Sequence, residues 1–330
     1  MKTVMTITTI INFGGLSMDK LYAIKSAIIG HAVGDALGVP VEFASREELK
    51  VSPITKMEGF GTYPFPAGSW SDDTSMTIAS LDSLINGIDY EDMMYKFCQW
   101  LYQDKYTPSD ECFDVGNTTS YALHDYWVNK IKPLECGGKK DYNNGNGSLM
   151  RILPIALYCE LSSLAPIPIS DKIKYIDNVS ALTHGHSRSF VGCGIYTFVV
   201  SELLKSNSKD SVYEGISKAK DFYKNNPEYK AYSRIFDGDI KNLSEIEVNS
   251  GGYVVSCLEA SLWCLLNTDS YKDCVLKAVN LGDDTDTTAA VAGGLAGLMY
   301  GYDSIPKDWL NTLIRKDYIE DLCEKAASKW

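Results

Sequence analysis

Two acidic clusters hold the densest potential chemistry in this 330-residue chain. One is Ser71-Asp72-Asp73-Thr74 and the other is Asp283-Asp284-Thr285-Asp286-Thr287, each placed where an irregular segment gives way to a helix-like run. Carboxylates this crowded repel one another, and a hard divalent cation is the usual means of holding several of them in one cleft at neutral pH. The clusters therefore read as two halves of one metal site that folding brings together. Acidic helix caps are the competing explanation, since Asp, Ser and Thr suit helix starts and the helix dipole. An EF-hand is disfavoured, because neither cluster has the glycine and glutamate that such a loop requires.

The flanking residues indicate what must position these acids. Gly68-Ser69-Trp70 leads into the first cluster, and Met76, Ile78, Ala79 and Leu81 follow at helical intervals, so Ser71 or Asp72 is expected to cap a helix. The second cluster runs into Ala289-Ala290-Val291-Ala292-Gly293-Gly294-Leu295-Ala296-Gly297, whose small side chains admit a close helical neighbour and imply a rigid, buried helix start. Asp284 and Asp286, two apart, can converge within a turn or cap, and Thr287 adds a hydroxyl oxygen.

Elsewhere the apolar period is helical, in Leu21 to Ile29, Met93 to Leu101, Tyr121 to Ile131, Phe190 to Leu204, Val254 to Leu266 and Trp309 to Tyr318. Sustained alternation is scarce, which predicts an all-α fold, and no fixed-period repeat divides the chain. Pro133 to Gly147 has linker-like composition and is read as a loop over the site within one domain. Lys205 to Lys209 reads as an ordinary turn between helices. Residues 1–17 are read as an extension ahead of a domain spanning 18–330; they are mildly apolar without a signal-peptide cleavage pattern.

A net charge of -12 and a pI near 4.9 disfavour general nucleic-acid or anionic-membrane binding, and no uncharged apolar run reaches transmembrane length. Nine cysteines without a Cys-x-x-Cys pair fit reduced, mostly buried thiols and a cytoplasmic protein. With four histidines and no thiolate cluster the metal chemistry on offer is oxygen-based, favouring Mg2+ or Mn2+ over Zn2+.

A second constellation is Asn144-Gly145-Asn146-Gly147-Ser148 running into Leu149-Met150-Arg151-Ile152, a glycine-rich turn opening a helix, where backbone N–H groups can cradle a pyrophosphate. A flexible turn is the plainer alternative, and Arg151 is also suited to anchoring the loop to a neighbouring carboxylate. Among the histidines, His184 beside Thr183 is a stronger site candidate than His31, His124 or His186.

Taken in order, the segments Gly30-His31-Ala32-Val33-Gly34-Asp35-Ala36-Leu37-Gly38-Val39-Pro40-Val41-Glu42, Gly68 to Thr74, Asp114-Val115-Gly116-Asn117-Thr118-Thr119, Gly145 to Arg151, Thr183-His184, Gly252-Tyr253-Val254-Val255 and Gly282 to Thr287 resemble the ADP-ribosylglycohydrolase family. That family includes the dinitrogenase-reductase-activating glycohydrolases of bacteria. The resemblance implies a helical fold with two Mg2+ or Mn2+ ions held by Ser71, Asp72 and Asp73 facing Asp284, Asp286 and Thr287, with Glu42 joining them. It implies that Asp114, Gly116, Asn117 and Thr118 line the ribose and phosphate side, that His184 lies beside the substrate, and that Tyr253 meets the nucleotide. Asn146, Gly147, Ser148, Met150 and Arg151 complete the expected substrate contacts. Ser71 stands where many members have Thr, which preserves the hydroxyl; Asp283 stands where many have Gly and is expected to point outward.

The implied activity is metal-dependent hydrolysis of the ribosyl bond joining ADP-ribose to a protein side chain or other acceptor, with Asp73, Asp286 or Glu42 handling protons. The acceptor stays open among arginine, serine, a nucleobase and an acyl ester. Expected partners are an ADP-ribosylated protein or small conjugate and a cognate ADP-ribosyltransferase or toxin. Three other functions compete. His124-Asp125 suggests an all-α metal phosphohydrolase but lacks further histidine ligands, the acids suggest an isoprenoid-synthase diphosphate site but lack its third acid, and an ADP-ribose reader or toxin-immunity protein would act by occlusion.

Overall fold

In the computed structural model of the chain, which describes residues 19–330, the helical periods become fifteen α-helices joined by short loops and 3-10 turns. They are α1 Lys20–Gly38, α2 Arg46–Val51, α3 Asp72–Leu84, α4 Tyr90–Gln103, α5 Asn117–Trp127, α6 Leu153–Leu161, α7 Ile169–Ala181 and α8 Ser187–Lys205. After these come α9 Lys209–Tyr223, α10 Ser233–Phe236, α11 Val254–Leu266, α12 Tyr271–Val279, α13 Thr285–Tyr300, α14 Lys307–Thr312 and α15 Lys316–Lys329. No strand occurs among the described residues; two isolated bridges join Gly138 to His184 and Gly145 to Tyr253. The extension read over residues 1–17 lies outside the described part, in which no helix is long and apolar enough to cross a membrane. All nine cysteines are free, and every one but Cys112 is buried.

The centre of the fold is the pair α1 and α13, buried on nearly every side and in more extensive mutual contact than any other two helices. Glycines make this approach possible. Gly30, Gly34 and Gly38 recur every fourth residue on one stripe of α1, and a Cβ at Gly30 would lie 2.6 Å from the Gly293 carbonyl oxygen. At Gly34 and Gly38 it would fall onto the backbone of Ala289 and Asp286. The small-residue run after the second acidic cluster thus meets a matching stripe on α1, and the end of α1 is locked beside the start of α13. Around this pair pack α3, α8, α11, α12 and α15.

Two local readings change. Trp309 to Tyr318 is not one helix: α14 ends at Thr312 and α15 starts at Lys316, with Arg315 left-handed between them (φ 51°). The interruption frees the Ile314 N–H to donate to the Gly68 carbonyl at 3.0 Å, tying the C-terminal region to the loop that leads into α3. Leu149–Arg151 is a 3-10 turn, and the following helix starts only at Leu153.

Candidate active site

Three helix ends meet at the cleft. Glu42 follows α1 after the short turn Val39–Val41; Ser71 caps α3, whose first turn holds Asp72 and Asp73; Asp284 precedes α13, whose first turn holds Asp286 and Thr287. The two acidic clusters touch: the Thr287 hydroxyl donates to Asp73 Oδ2 at 3.1 Å, and the Ser71 hydroxyl to the same oxygen at 3.2 Å. Glu42, Asp114 and Asp286 each bring an oxygen within 4.8 Å of the others, a spacing one cation can span. Asp114 is therefore part of the acid set as well as of the cleft wall, a closer role than the ribose and phosphate side alone.

Four carboxylates of the cleft each leave one buried oxygen without a hydrogen-bond partner among the described residues: Glu42 Oε2, Asp73 Oδ1, Asp284 Oδ1 and Asp286 Oδ2. Such groups are costly to bury, and a hard divalent cation satisfies them directly. Burial first, and then the neighbouring carboxylates, push Asp72, Asp73 and Asp286 well above the usual carboxylate range and Glu42 up to about 9. The donor set is all oxygen, which suits a hard divalent cation that takes the place of the protons these raised carboxyls would otherwise hold.

Asp35, on α1, is a positioning residue that the sequence reading did not single out. Its fully buried carboxylate accepts from the backbone of Ser71 (2.9 and 3.1 Å) and Thr74 (2.9 Å) and from the Thr74 hydroxyl (2.6 Å), fixing the start of α3. Burial pushes Asp35 up to about 6 while those hydrogen bonds hold it down. Only its place in the Gly34-Asp35-Ala36 segment could have flagged it. Tyr63, also missed, donates from its hydroxyl to Asp114 Oδ1 at 2.9 Å, and its ring packs on Phe113 at 4.9 Å.

Above the acids is a cavity of about 370 Å³ lined by Glu42, Asp72, Asp114, Asp284 and Thr287 on one side and by Gly145, Asn146, Gly147 and Met150 on another. Gly116, Asn117 and Thr118, at the start of α5, and His184 complete the expected lining residues that reach it. Asn146 Nδ2 donates to Asp284 Oδ2 at 2.9 Å, linking the glycine loop to the acids, while the Asn146 N–H is taken by the Gly252 carbonyl. The loop over the site is thus present, and Tyr142 from it also faces the cavity.

Two expected contacts turn away from the cleft. The Ser148 hydroxyl receives a hydrogen bond from Ser180 at 2.9 Å and lies 3.5 Å from Cys193 Sγ. Arg151, fully buried, donates to the Thr183 hydroxyl (2.7 Å) and the Val179 carbonyl (3.2 Å) and stacks on Phe97, with no carboxylate partner. The 3-10 geometry of this turn directs both side chains into the helical layer formed by α7 and α8. Tyr253 is half-exposed beside the cleft residue Gly252. Burial and the Arg151 charge push His184 down to about 3, so it is neutral at physiological pH, with Nδ1 2.8 Å from the Thr183 hydroxyl. His124 is exposed on α5, away from the acids.

At the mouth, Phe43 and Asp283 are both left-handed (φ 65° and 59°) and interlocked: the Phe43 N–H donates to the Asp283 carbonyl at 2.7 Å and the Asp283 N–H to the Ala44 carbonyl at 2.8 Å. Left-handed backbone costs about 1–2 kcal/mol at a side chain such as Phe. The Asp283 side chain is exposed, as expected for an acid outside the ligand set.

The family model for ADP-ribosylglycohydrolase matches residues 17–330. The chain belongs to the ADP-ribosylglycohydrolase family. It is a hydrolase of ADP-ribose linkages, all-α and single-domain. Among its relatives, the ADP-ribosylarginine hydrolase Tri1 of Serratia proteamaculans is 32% identical over 94% of this chain and 79% of the relative. The ADP-ribosyl-[dinitrogen reductase] glycohydrolase of Rhodospirillum rubrum is 30% identical over 88% of this chain and 90% of its own length. A solved ADP-ribosylglycohydrolase-related protein complex superposes with a TM-score of 0.78 at 27% identity, covering 94% of this chain and 98% of the other.

Proposed function

We propose that this ADP-ribosylglycohydrolase cleaves the bond between ADP-ribose and the guanidinium of a modified arginine in a protein, using two Mg2+ or Mn2+ ions. Two relatives of at least 30% identity are named ADP-ribosylarginine hydrolase, which favours arginine among the possible acceptors. The observation that carries the metal reading is the set of four partnerless carboxylate oxygens converging on one cleft. Asp72, Asp73, Asp284, Asp286 and Glu42 would hold the ions with the hydroxyls of Ser71 and Thr287; Asp114 is close enough to join them. When bound, the cations would neutralise these acids, grip the ribose hydroxyls and ease deprotonation of the attacking water.

The chain's own residues supply the rest. The N–H of Gly147, which lines the cavity, makes no hydrogen bond within the described residues and is free to meet a pyrophosphate oxygen. Neutral His184 shapes the floor beneath Gly147: a Cβ there would lie 2.7 Å from the His184 ring, so the loop can seat there only as glycine. Asp73, Asp286 or Glu42 takes the proton from water and returns one to the leaving guanidine. Because arginine is modified by transfer from a nucleotide donor, an ADP-ribosyltransferase must act before this enzyme.

The test is release of ADP-ribose from arginine-linked and serine-linked peptides with Mg2+, with Mn2+ and with chelator. Metal-dependent release from the arginine-linked peptide is expected, at a rate well above that from the serine-linked one. Metal-independent release, or release from the serine linkage alone, contradicts the proposal.

A further inference from the structure

We infer that Phe43 is the acceptor-recognition residue of the cleft, its ring stacking on the planar cationic group that leaves the ribose; this rests on the arginine reading above. Phe43 lines the cavity, yet its side chain is 69% exposed, so the ring gains little from burial in the free protein. It is held there by left-handed backbone, locked through the Asp283 carbonyl. At such a position glycine is the residue that costs nothing, and a bulky ring kept in place at a cost calls for use.

Its location narrows that use. Phe43 directly follows Glu42, on the acid side of the cavity where the anomeric carbon and its leaving group must sit. The glycine loop suited to pyrophosphate forms another wall. No Lys or Arg lines the cavity among the described residues, so no lining side chain repels an acceptor carrying positive charge. A guanidinium is both cationic and flat, the combination that an aromatic face binds best, and it remains hydrated on its other face at an exposed rim.

The left-handed backbone provides the variant that separates ring from scaffold. Phe43→Gly keeps the conformation and both backbone hydrogen bonds while removing the ring, so its Tm should be unchanged or higher. With the full-length, Mn2+-loaded protein, kcat/KM for an ADP-ribosyl-arginine peptide should fall about 3- to 5-fold. The Kd for free ADP-ribose should stay within about twofold, and Phe43→Tyr should stay within about twofold of the parent in kcat/KM. An unchanged kcat/KM in Phe43→Gly overturns the inference, as does an equal loss of ADP-ribose affinity, which would put the ring on the nucleotide. Should the parent protein release nothing from arginine-linked peptide, the acceptor reading itself fails, a result distinct from parent turnover that is indifferent to Phe43.

Discussion

Beneath Gly145–Gly147, Ser148, Ser180, Thr183 and His184 form a buried polar layer joined by hydrogen bonds, with Arg151 held by Thr183 and by the ring of Phe97. On the acid side of the same cleft, Glu42, Asp73, Asp284 and Asp286 are held in place by their helices yet each retains an oxygen with no protein partner. Both regions are rich in side chains suited to binding, and residue type alone does not separate them. The difference lies in what saturates each group: in the first layer the hydroxyls are closed by protein and only Nε and Nη1 of the fully buried Arg151 lack partners, whereas the second gathers four open carboxylate oxygens and needs a ligand of opposite charge.

The largest expected effect breaks the open half. Asp286→Asn or Asp73→Asn should lower kcat by roughly 10³-fold or more, because each removes a carboxylate from the acid set that would hold the cations and handle protons. Circular dichroism should show the fold retained, since neither residue's orphan oxygen contributes a bond to the unliganded protein.

The closed half should respond in the opposite sense. Arg151→Ala is expected to cost about 3 kcal/mol in urea unfolding through lost packing and hydrogen bonds, while kcat/KM of the folded protein stays within about threefold of the parent. A large KM change without a stability change would return Arg151 to the substrate.

Asp35 belongs between the two regions: closed by protein, but in order to aim an open one. Replacing it with Asn puts an amide donor against the Ser71 and Thr74 N–H groups, so Mn2+ affinity should fall about 10- to 100-fold with little change in the KM of metal-saturated enzyme. Calorimetric titration of the variant checks this.

Asp177 sharpens the comparison on the scaffold side. Its Oδ1 is buried without a partner, and burial raises it from an ordinary 3.8 to about 7. A carboxyl whose folded pKa lies above its unfolded one contributes stability below the unfolded value, and loses it as pH rises through the folded value. The parent should therefore weaken between pH 4 and pH 7 through this group, and Asp177→Asn should gain about 1–2 kcal/mol at pH 8 and almost nothing near pH 4. A gain of equal size at both pH values would assign the effect to packing.

The all-α architecture was legible because apolar residues recur at helical spacing with little alternation, and Val254 to Leu266 matches its helix end to end. The acidic clusters were legible because dense carboxylates at helix starts have few physical uses. What escaped depends on direction and on single residues. Ser148 and Arg151 stand in a glycine-rich run that does border the cavity, but a 3-10 turn points their side chains inward, and no spacing rule reveals that. Asp35, Tyr63 and the membership of Asp114 in the acid set rest on one residue each, with meaning that appears only when distant loops meet. The break between α14 and α15 goes with a hydrogen bond from Ile314 to Gly68, more than two hundred residues earlier, which the local apolar period cannot register.

The most direct test of the open acid half is calorimetric titration of chelator-treated protein with Mn2+. Two ions per chain should bind, with loss of binding in Asp286→Asn. No heat of binding and no uptake of either Mn2+ or Mg2+ by the parent protein would contradict a metal site at Glu42, Asp73, Asp284 and Asp286.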